Sequence, residues 1–257
     1  ATASSQSVSS PAKPGADQQA MGEVSRVEDL QNINSFRFRA SIKAQGKDSD
    51  GSDVNFAIEM RVAETRNPRA SHMVIEAKDT PNNDGLSLPG GAIEFYQVEN
   101  ESYMKMGDMW IRGEMPMESF LSPEMFETPS DIARRVSNAQ RIGTETVNGR
   151  STTHYRFNRD AVLANATSFD PEVRELYAGL TDATVDVWID EQEKFLVKMQ
   201  MRSTGKQTLT STFEGTMEVE YEVQDVNANF TITVPDAARQ AMDLQLPTGS
   251  MPNIPTR

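Results

Sequence analysis

The stretch Met217-Glu-Val-Glu-Tyr-Glu-Val223 places an apolar residue at every odd position and a carboxylate at every even position. Successive side chains of a β-strand point to opposite faces of the sheet, so this run predicts a strand with one face in water and the other against apolar groups. The same alternation recurs in residues 36–43 and 54–62. The sequence therefore predicts a large sheet with one apolar face.

Further strands are expected on both sides of a loop-and-helix region at residues 114–138. Residues 73–77, 93–95 and 103–110 continue the first half, and Asn148-Gly149 is a strong signal for a hairpin turn in the second half. Four closing strands, at residues 184–190, 195–202, 206–213 and 216–224, are so close in sequence that an antiparallel meander is expected. The total is about nine to eleven antiparallel strands, with no alternation of strands and helices that would predict a parallel sheet.

Three helical segments interrupt the strands. Apolar residues at three-residue steps predict a helix over residues 17–32, and capping residues predict short helices after Ser130 and after Asp170. Each has a single apolar stripe. The predicted fold class is therefore α+β: a large, curved antiparallel sheet, an unclosed half-barrel, with helices packed on its concave face.

The chain is expected to contain a single domain. Its 257 residues, 37% of them hydrophobic, are enough for one sizeable core. Residues 1–16 are rich in Ser, Ala and Pro and are expected to be a flexible tether, residues 17–245 the domain, and residues 246–257 a loose tail. Such a tether often joins a lipidated cysteine to an exported bacterial domain, although an ordinary frayed terminus has the same composition.

Composition excludes several classes of function. A net charge of -13 opposes binding to nucleic acid, and no run of ~18–20 apolar residues could cross a bilayer. Cysteine is absent, and His72 and His154, the two histidines, are expected on the polar faces of strands as ordinary surface residues. No nucleophile, phosphate-binding or zinc motif is present, so neither enzymatic activity nor a metal or other cofactor is expected.

Methionine is concentrated in one region, with six residues between Met104 and Met125. Three interpretations remain open. These side chains fill the core, or they form a pliable wall or lid over a ligand, or their thioethers bind Cu(I).

Four segments, taken in order, resemble a known family. They are Tyr103-Met-Lys-Met-Gly-Asp-Met-Trp110, the hairpin over residues 142–157, Val185-Asp-Val-Trp-Ile-Asp190 with Phe195-Leu-Val-Lys-Met199, and Phe230-Thr-Ile-Thr-Val-Pro-Asp-Ala-Ala238. Their order and spacing are similar to those of the LppX/LprG-like bacterial lipoproteins, relatives of the LolA and LolB lipoprotein carriers and of the RseB sensor domain. The resemblance extends from about residue 17 to residue 238.

The resemblance implies a half-barrel with an apolar cavity that binds a lipid or lipidated molecule outside the cytoplasm, in the cell envelope or periplasm. The family typically has a lipid-anchored cysteine before the tether; this sequence contains no cysteine, so the anchor is an inference. Independently, the three helices offer too few apolar side chains to cover the sheet, which predicts a cavity, an oligomer interface or a ligand site.

We therefore expect a monomeric, non-enzymatic carrier that holds acyl chains between sheet and helices. The alternative is a protein-interaction or envelope-sensing module whose core is filled by its own side chains; a Cu(I)-binding module comes third. The residues expected to line the cavity are Phe38, Ile42, Phe56, Ile58, Met60, Met73, Ile75, Phe95, Met104, Met106, Trp110, Phe120, Met125, Phe126, Val187, Met199, Met201, Phe213, Val219 and Tyr221.

Overall fold

The computed structural model describes residues 33–78, 91–113, 139–166, 178–208 and 212–243. These residues form a single sheet of twelve strands. In chain order the strands are β1 (Ser35–Asp48), β2 (Asp53–Arg66), β3 (Arg69–Lys78), β4 (Ala92–Val98), β5 (Glu101–Met106), β6 (Met109–Gly113), β7 (Gln140–Val147), β8 (Arg150–Asn158), β9 (Leu180–Asp190), β10 (Leu196–Thr208), β11 (Thr212–Gln224) and β12 (Met242–Asp243).

Strand β1 lies inside the sheet and joins two antiparallel meanders. It pairs with β2, which leads outward through β3, β4 and β5 to β6, and also with β11, which leads through β10, β9 and β8 to β7. The short β12 pairs with β6 and makes the one parallel pairing among the described strands. The edges of the described sheet are therefore β7 and β12, which are not paired with each other, so the sheet is open.

The expected α+β class, with helices packed on a concave face, is wrong. The described residues are mostly strand, and the helices that lie wholly within them are α1 (Arg159–Ala166) and a 3₁₀ helix at Asp236–Gln240. The strand count of twelve also exceeds the expected nine to eleven. Strand alternation was a sound guide because it depends on neighbouring residues alone, whereas helix packing had been inferred from isolated apolar stripes.

The helical expectations fall mostly outside the described residues. The helices expected over residues 17–32 and after Ser130 lie outside them entirely, and so does most of the helix expected after Asp170. Helix α1 begins where Asn158 Oδ1 accepts a hydrogen bond from the backbone of Ala161 at 3.0 Å, a side-chain cap that the sequence reading overlooked. No helix in the described segments is long and apolar enough to cross a membrane.

The closing meander is antiparallel, as predicted, but its strands are longer and fewer. Strand β10 continues from the strand expected at residues 195–202 through Gly205 to Thr208, so it includes the start of the strand expected at 206–213. The last two residues of that expected strand belong to β11, which passes through Gly215. Gly46, Gly215 and Gly205 are cross-strand partners on β1, β11 and β10. Three neighbouring strands thus carry a glycine in one row across the sheet.

Residues 226–243 cross the face of the sheet on which Arg37 of β1, Tyr96 of β4 and Tyr103 of β5 lie. The guanidinium carbon of Arg37 lies 4.3 Å from the ring centre of Phe230, and Ile232 and Val234 pack against a buried cluster of Tyr96, Tyr103 and Ala238. The segment ends in β12, where Arg112 pairs with Asp243 at 2.7 Å. It therefore covers part of the charged side of the sheet and pairs with the outer edge of β6.

Candidate functional site

The apolar face of the sheet is defined by side chains brought together by strand register. A central row runs across ten strands, from β6 to β8, because each member is the cross-strand partner of the next. At about 4.8 Å between strands, the row spans roughly 43 Å. Its members are Met109, Met106, Ile93, Ile75, Met60, Ala40, Tyr221, Met199, Val187 and Tyr155.

Two flanking rows lie on the same face, each two residues from the central row along every strand. Both consist of apolar side chains throughout, so the apolar character of the face does not depend on any single strand. One consists of Ile111, Met104, Phe95, Met73, Val62, Phe38 and Val223, and the other of Ala77, Ile58, Ile42, Val219, Met201, Val185 and Phe157.

Burial along the apolar face is uneven. At one end, Met73 and its neighbours form a buried cluster, and at the other end Val187 and Phe157 belong to a second one; all three have 0% exposure. Between these clusters, Ile42 on β1, Ile58 on β2 and Val219 on β11 are half-buried, although Ala44 and Met60 beside them are buried. The middle of the face therefore retains apolar surface that further contacts could remove from water.

The methionines of this face lie side by side. Met60, Met73 and Met104 are buried in one cluster, and Met106 packs at its margin. Their thioethers sit among apolar groups, which fits core filling or a pliable wall. The described residues contain no group of three or more His, Asp or Glu side chains that could hold a metal ion.

The opposite face carries the charges. Glu59, only 7% exposed, accepts hydrogen bonds from Arg39 and Arg61, each at 2.9 Å, and Arg61 also donates to Glu76 at 2.6 Å. This ladder runs across β1, β2 and β3. These ion pairs lie on the face opposite the apolar rows.

Both histidines lie on this charged face, as predicted, but His154 is buried and is therefore not an ordinary surface residue. Its Nδ1 lies 2.9 Å from Glu145 and its Nε2 lies 2.7 Å from Asp186, while its ring stacks on Trp188. The indole N–H of Trp188 donates to Glu145 at 3.0 Å. That bond, followed by the one from His154, lowers the pKa of Glu145. The group fastens edge strand β7 to β8 and β9.

Sixteen of the twenty predicted site residues lie on the apolar face. Fourteen belong to the three rows described above, and Phe56 and Phe213 lie on the same face beyond those rows, as the partners of Ala44 and Gln207. The sixteen are Phe38, Ile42, Phe56, Ile58, Met60, Met73, Ile75, Phe95, Met104, Met106, Val187, Met199, Met201, Phe213, Val219 and Tyr221.

Trp110 lies on the opposite face, where it packs beside Tyr96 and Tyr103. The reason is the turn at Gly107-Asp108. It makes Met109 the partner of Met106 and Trp110 the partner of Lys105, so that Trp110 faces the charged side. Phe120, Met125 and Phe126 lie outside the described residues.

Several members of the apolar face were missed by the sequence reading. Ala40, Ile93, Met217 and Val185 stand in the same rows as predicted residues. Their alternation with polar neighbours was the available signal. It is weak for a small side chain such as Ala40 and for a short strand such as β4, which contains Ile93. Gln207 was also missed, because a polar residue on an apolar face has no periodic signal.

No protein-family model matches the sequence, and no curated protein matches it. Among solved structures, the chain is similar to LprF from Mycobacterium bovis, at 16% identity and a TM-score of 0.47, covering 87% of this chain and 99% of that one. It is also similar to lipoprotein LppX from Mycobacterium tuberculosis, at 17% identity and a TM-score of 0.41, covering 84% and 97%. A LolA superfamily protein from Nitrosomonas europaea aligns at 10% identity and a TM-score of 0.26, covering 86% and 96%.

Function is inferred below from the sheet's own residues, because all three TM-scores are below 0.5. Two of these three structures carry the names LppX and LolA superfamily, which also name the group that the four sequence motifs resemble.

Proposed function

We propose that this chain is a non-enzymatic carrier that binds a lipid, or the acyl chains of a lipidated molecule, on the apolar face of its sheet. The observation that supports this proposal is the half-buried strip in the middle of that face. Ile42, Ile58 and Val219 lie there, between two buried clusters, and Val219 packs at the margin of one of them. A well-packed core would be expected to bury these central positions most completely.

The energetics of such binding are favourable. Each buried methylene contributes about 0.8 kcal/mol, so a dozen of them contribute about 10 kcal/mol. The cost of associating two molecules is about 4–15 kcal/mol, so the gain from a dozen methylenes is of the same size. Binding by the apolar rows alone would therefore favour long acyl chains, which bury more methylenes.

The location of the protein is part of the proposal. In this proposal the carrier acts outside the cytoplasm, in the cell envelope or periplasm, as a monomer that an N-terminal lipid anchor tethers to a membrane. This part rests on the four motifs that resemble the LppX/LprG-like lipoproteins and on the polar composition of residues 1–16.

Introducing charge into the middle of the apolar face tests the proposal. Ile58→Asp and Ile75→Asp each place a carboxylate among apolar rows, where a bound chain would have to desolvate it. We expect affinity for a fluorescent long-chain fatty acid to fall at least about tenfold, which corresponds to 1.4 kcal/mol. Binding would be measured by fluorescence titration of the purified protein.

Two variants on the same strands provide matched controls. Ala57→Asp and Val74→Asp put the same charge on the opposite face, where Ala57 is the cross-strand partner of Lys43 and Val74 that of Arg61. Both controls should bind the probe as the unmodified protein does. If Ile58→Asp and Ile75→Asp fold, by far-ultraviolet circular dichroism, and still bind normally, the apolar face is not the binding surface.

Native mass spectrometry of the purified protein would show directly whether a lipid is bound to it. A co-purifying species of lipid mass, identified after organic extraction, would support the carrier. A protein mass without any adduct, together with no uptake of the fluorescent fatty acid, would instead favour a protein-interaction module whose apolar face is filled by its own chain.

A further inference from the structure

Gln207 has a buried polar atom without a partner. Its side chain is 3% exposed, and its Nε2 makes no hydrogen bond in the described part of the chain. The other amide atom, Oε1, accepts a hydrogen bond from the hydroxyl of Ser203 at 3.2 Å. The two N–H groups of Nε2 therefore have no hydrogen-bond acceptor among the described residues.

Gln207 faces the apolar side by the alternation of β10, and a bend at Gly205 explains how it meets Ser203. Ser203 and Gln207 are four residues apart on β10, so in a straight strand their Cα atoms would lie about 13 Å apart. Their side chains nevertheless meet, because β10 bends at Gly205, where φ is +120°. The bend turns the end of the strand back over the apolar face.

The surroundings of the amide are apolar. Gln207 is the cross-strand partner of Phe213, which is 2% exposed and contacts Phe56 edge-on at 6.5 Å between ring centres. Ser203 is the partner of Met217 on one side and of Ala183 on the other. The amide thus lies at one end of the apolar face, beside the surface proposed to bind acyl chains.

A buried donor without a partner destabilises the protein, since it has left water and gained no bond in exchange. A ligand atom that accepts its hydrogen bond would remove this cost. The ligand atom must be an acceptor on an otherwise apolar molecule. The carbonyl oxygen of an ester meets this requirement, whereas an ionised carboxylate would lose its hydration without a cation to offset the loss.

We propose that Nε2 of Gln207 donates a hydrogen bond to the carbonyl oxygen of an acyl ester, so that the protein distinguishes esterified chains from plain hydrocarbon chains. This inference rests on the proposed function and names the part of the lipid that the apolar face receives. Gln207 is then a specificity-determining residue, and the apolar rows supply affinity.

A pair of lipids that differ only in their carbonyl groups tests this assignment. A 1,2-diacylglycerol and the 1,2-dialkylglycerol of equal chain length would each be tested for displacing the fluorescent fatty acid from the full-length protein. We expect the ester to bind about 3- to 10-fold more tightly than the ether, the effect of one net hydrogen bond. In Gln207→Leu the two lipids should bind equally.

A matched substitution separates this role from a structural one. Gln200→Leu removes the same side chain from the charged face of the same strand, where Gln200 donates to Glu220 at 2.8 Å. It should keep the preference for the ester. Gln207→Leu should have an unchanged or higher melting temperature without ligand, since it removes a buried donor that lacks a partner.

Equal binding of both lipids by the unmodified protein, or a preference for the ester that survives in Gln207→Leu, would overturn the role of Gln207 and leave the carrier proposal intact. If neither lipid displaces the probe, and the probe itself does not bind, both proposals fail. A lower melting temperature for Gln207→Leu, with no change in lipid preference, would assign the amide to the fold alone.

Discussion

Asp190 shows how a single side chain fixes a junction of the sheet. It is 3% exposed, accepts a hydrogen bond from Nε of Arg150 at 2.7 Å, and accepts two more from the backbone of Gln192 and Glu193. Burial by itself would raise the pKa of Asp190, but the bonds from Arg150 and Glu193 outweigh it and hold that pKa below its usual range. The carboxylate is therefore needed in its charged form.

Asp190→Asn should destabilise the protein by about 3 kcal/mol, since it leaves Arg150 without its buried partner. Because the folded pKa is depressed, the stabilisation by Asp190 is fully present above its unfolded value, near 3.9, and is lost as pH falls through the folded value. Urea unfolding at pH 7 and at several values below 4 would measure both effects. Asp182→Asn, at an exposed position on the same strand, should change neither stability nor its dependence on pH.

Individual residues could be placed on a face from sequence wherever the strand was regular. Ile58 and Met60 follow the alternation of β2 and lie on the apolar face as predicted. Trp110 does not, because its face depends on which two residues form the turn before it. Gln207 could not be found at all, since its burial results from a bend and not from its own polarity.

Strands β1 and β11 depend on glycine at Gly46 and Gly215, where each backbone leaves no room for a Cβ atom on the other. A Cβ atom added to Gly215 would overlap the carbonyl oxygen of Gln45 and lie 2.6 Å from Cα of Gly46. These contacts are with backbone, which cannot turn away as a side chain can. The glycine row therefore permits the bend that carries the strand ends over the apolar face.

Gly215→Ala should lower the free energy of unfolding by about 1–3 kcal/mol, the usual cost of overpacking a well-packed site. Gly143→Ala is the matched control, because a Cβ at Gly143 meets no atom within 4 Å and its φ is not positive. Thermal unfolding of both variants would test the assignment. An equal, small effect for the two would mean that the strands can move apart at Gly215 without cost.

Elements were predicted well where local pattern decides them and poorly where contacts between distant residues do. The hairpin of β7 and β8 turns at Asn148-Gly149, where both residues have positive φ, as the dipeptide indicated. The ends of β10 and β11 were misplaced because a glycine that bends a strand and a glycine that ends one have the same sequence signal. Helix α1 has low amphipathic character and gave no stripe to detect.

The described residues form an open sheet, and its first strand in the chain, β1, lies in the interior of that sheet. The expected antiparallel sheet was correct, and the expected cover of helices was wrong. Sequence alternation reports which face of a strand is apolar, but it carries no information about what lies against that face. Register, and with it the continuous rows of the candidate site, arises from pairings between strands that are far apart in sequence.

Hydrogen exchange should reflect this arrangement. Backbone amides of β1, β2 and β11 lie inside the sheet with partners on both sides, so they should exchange most slowly. Those of β7 and β12, the edges of the described sheet, should exchange fastest. Exchange followed by mass spectrometry would give the order. Protection of β7 equal to that of β1 would show that the edge strand has a further partner.

The pairing of β1 with β11 also bears on how the protein is made. Arg37 and Asp225, which meet at the end of this pair, are 188 residues apart in the chain. A ribosome adds roughly 5–20 residues per second, so the first strand waits roughly 10–40 seconds for its second neighbour. During that interval β1 has β2 on one side only, and its other edge has no partner strand. An unpaired strand edge can pair with another chain, so this edge is a site for misassociation until β11 is available.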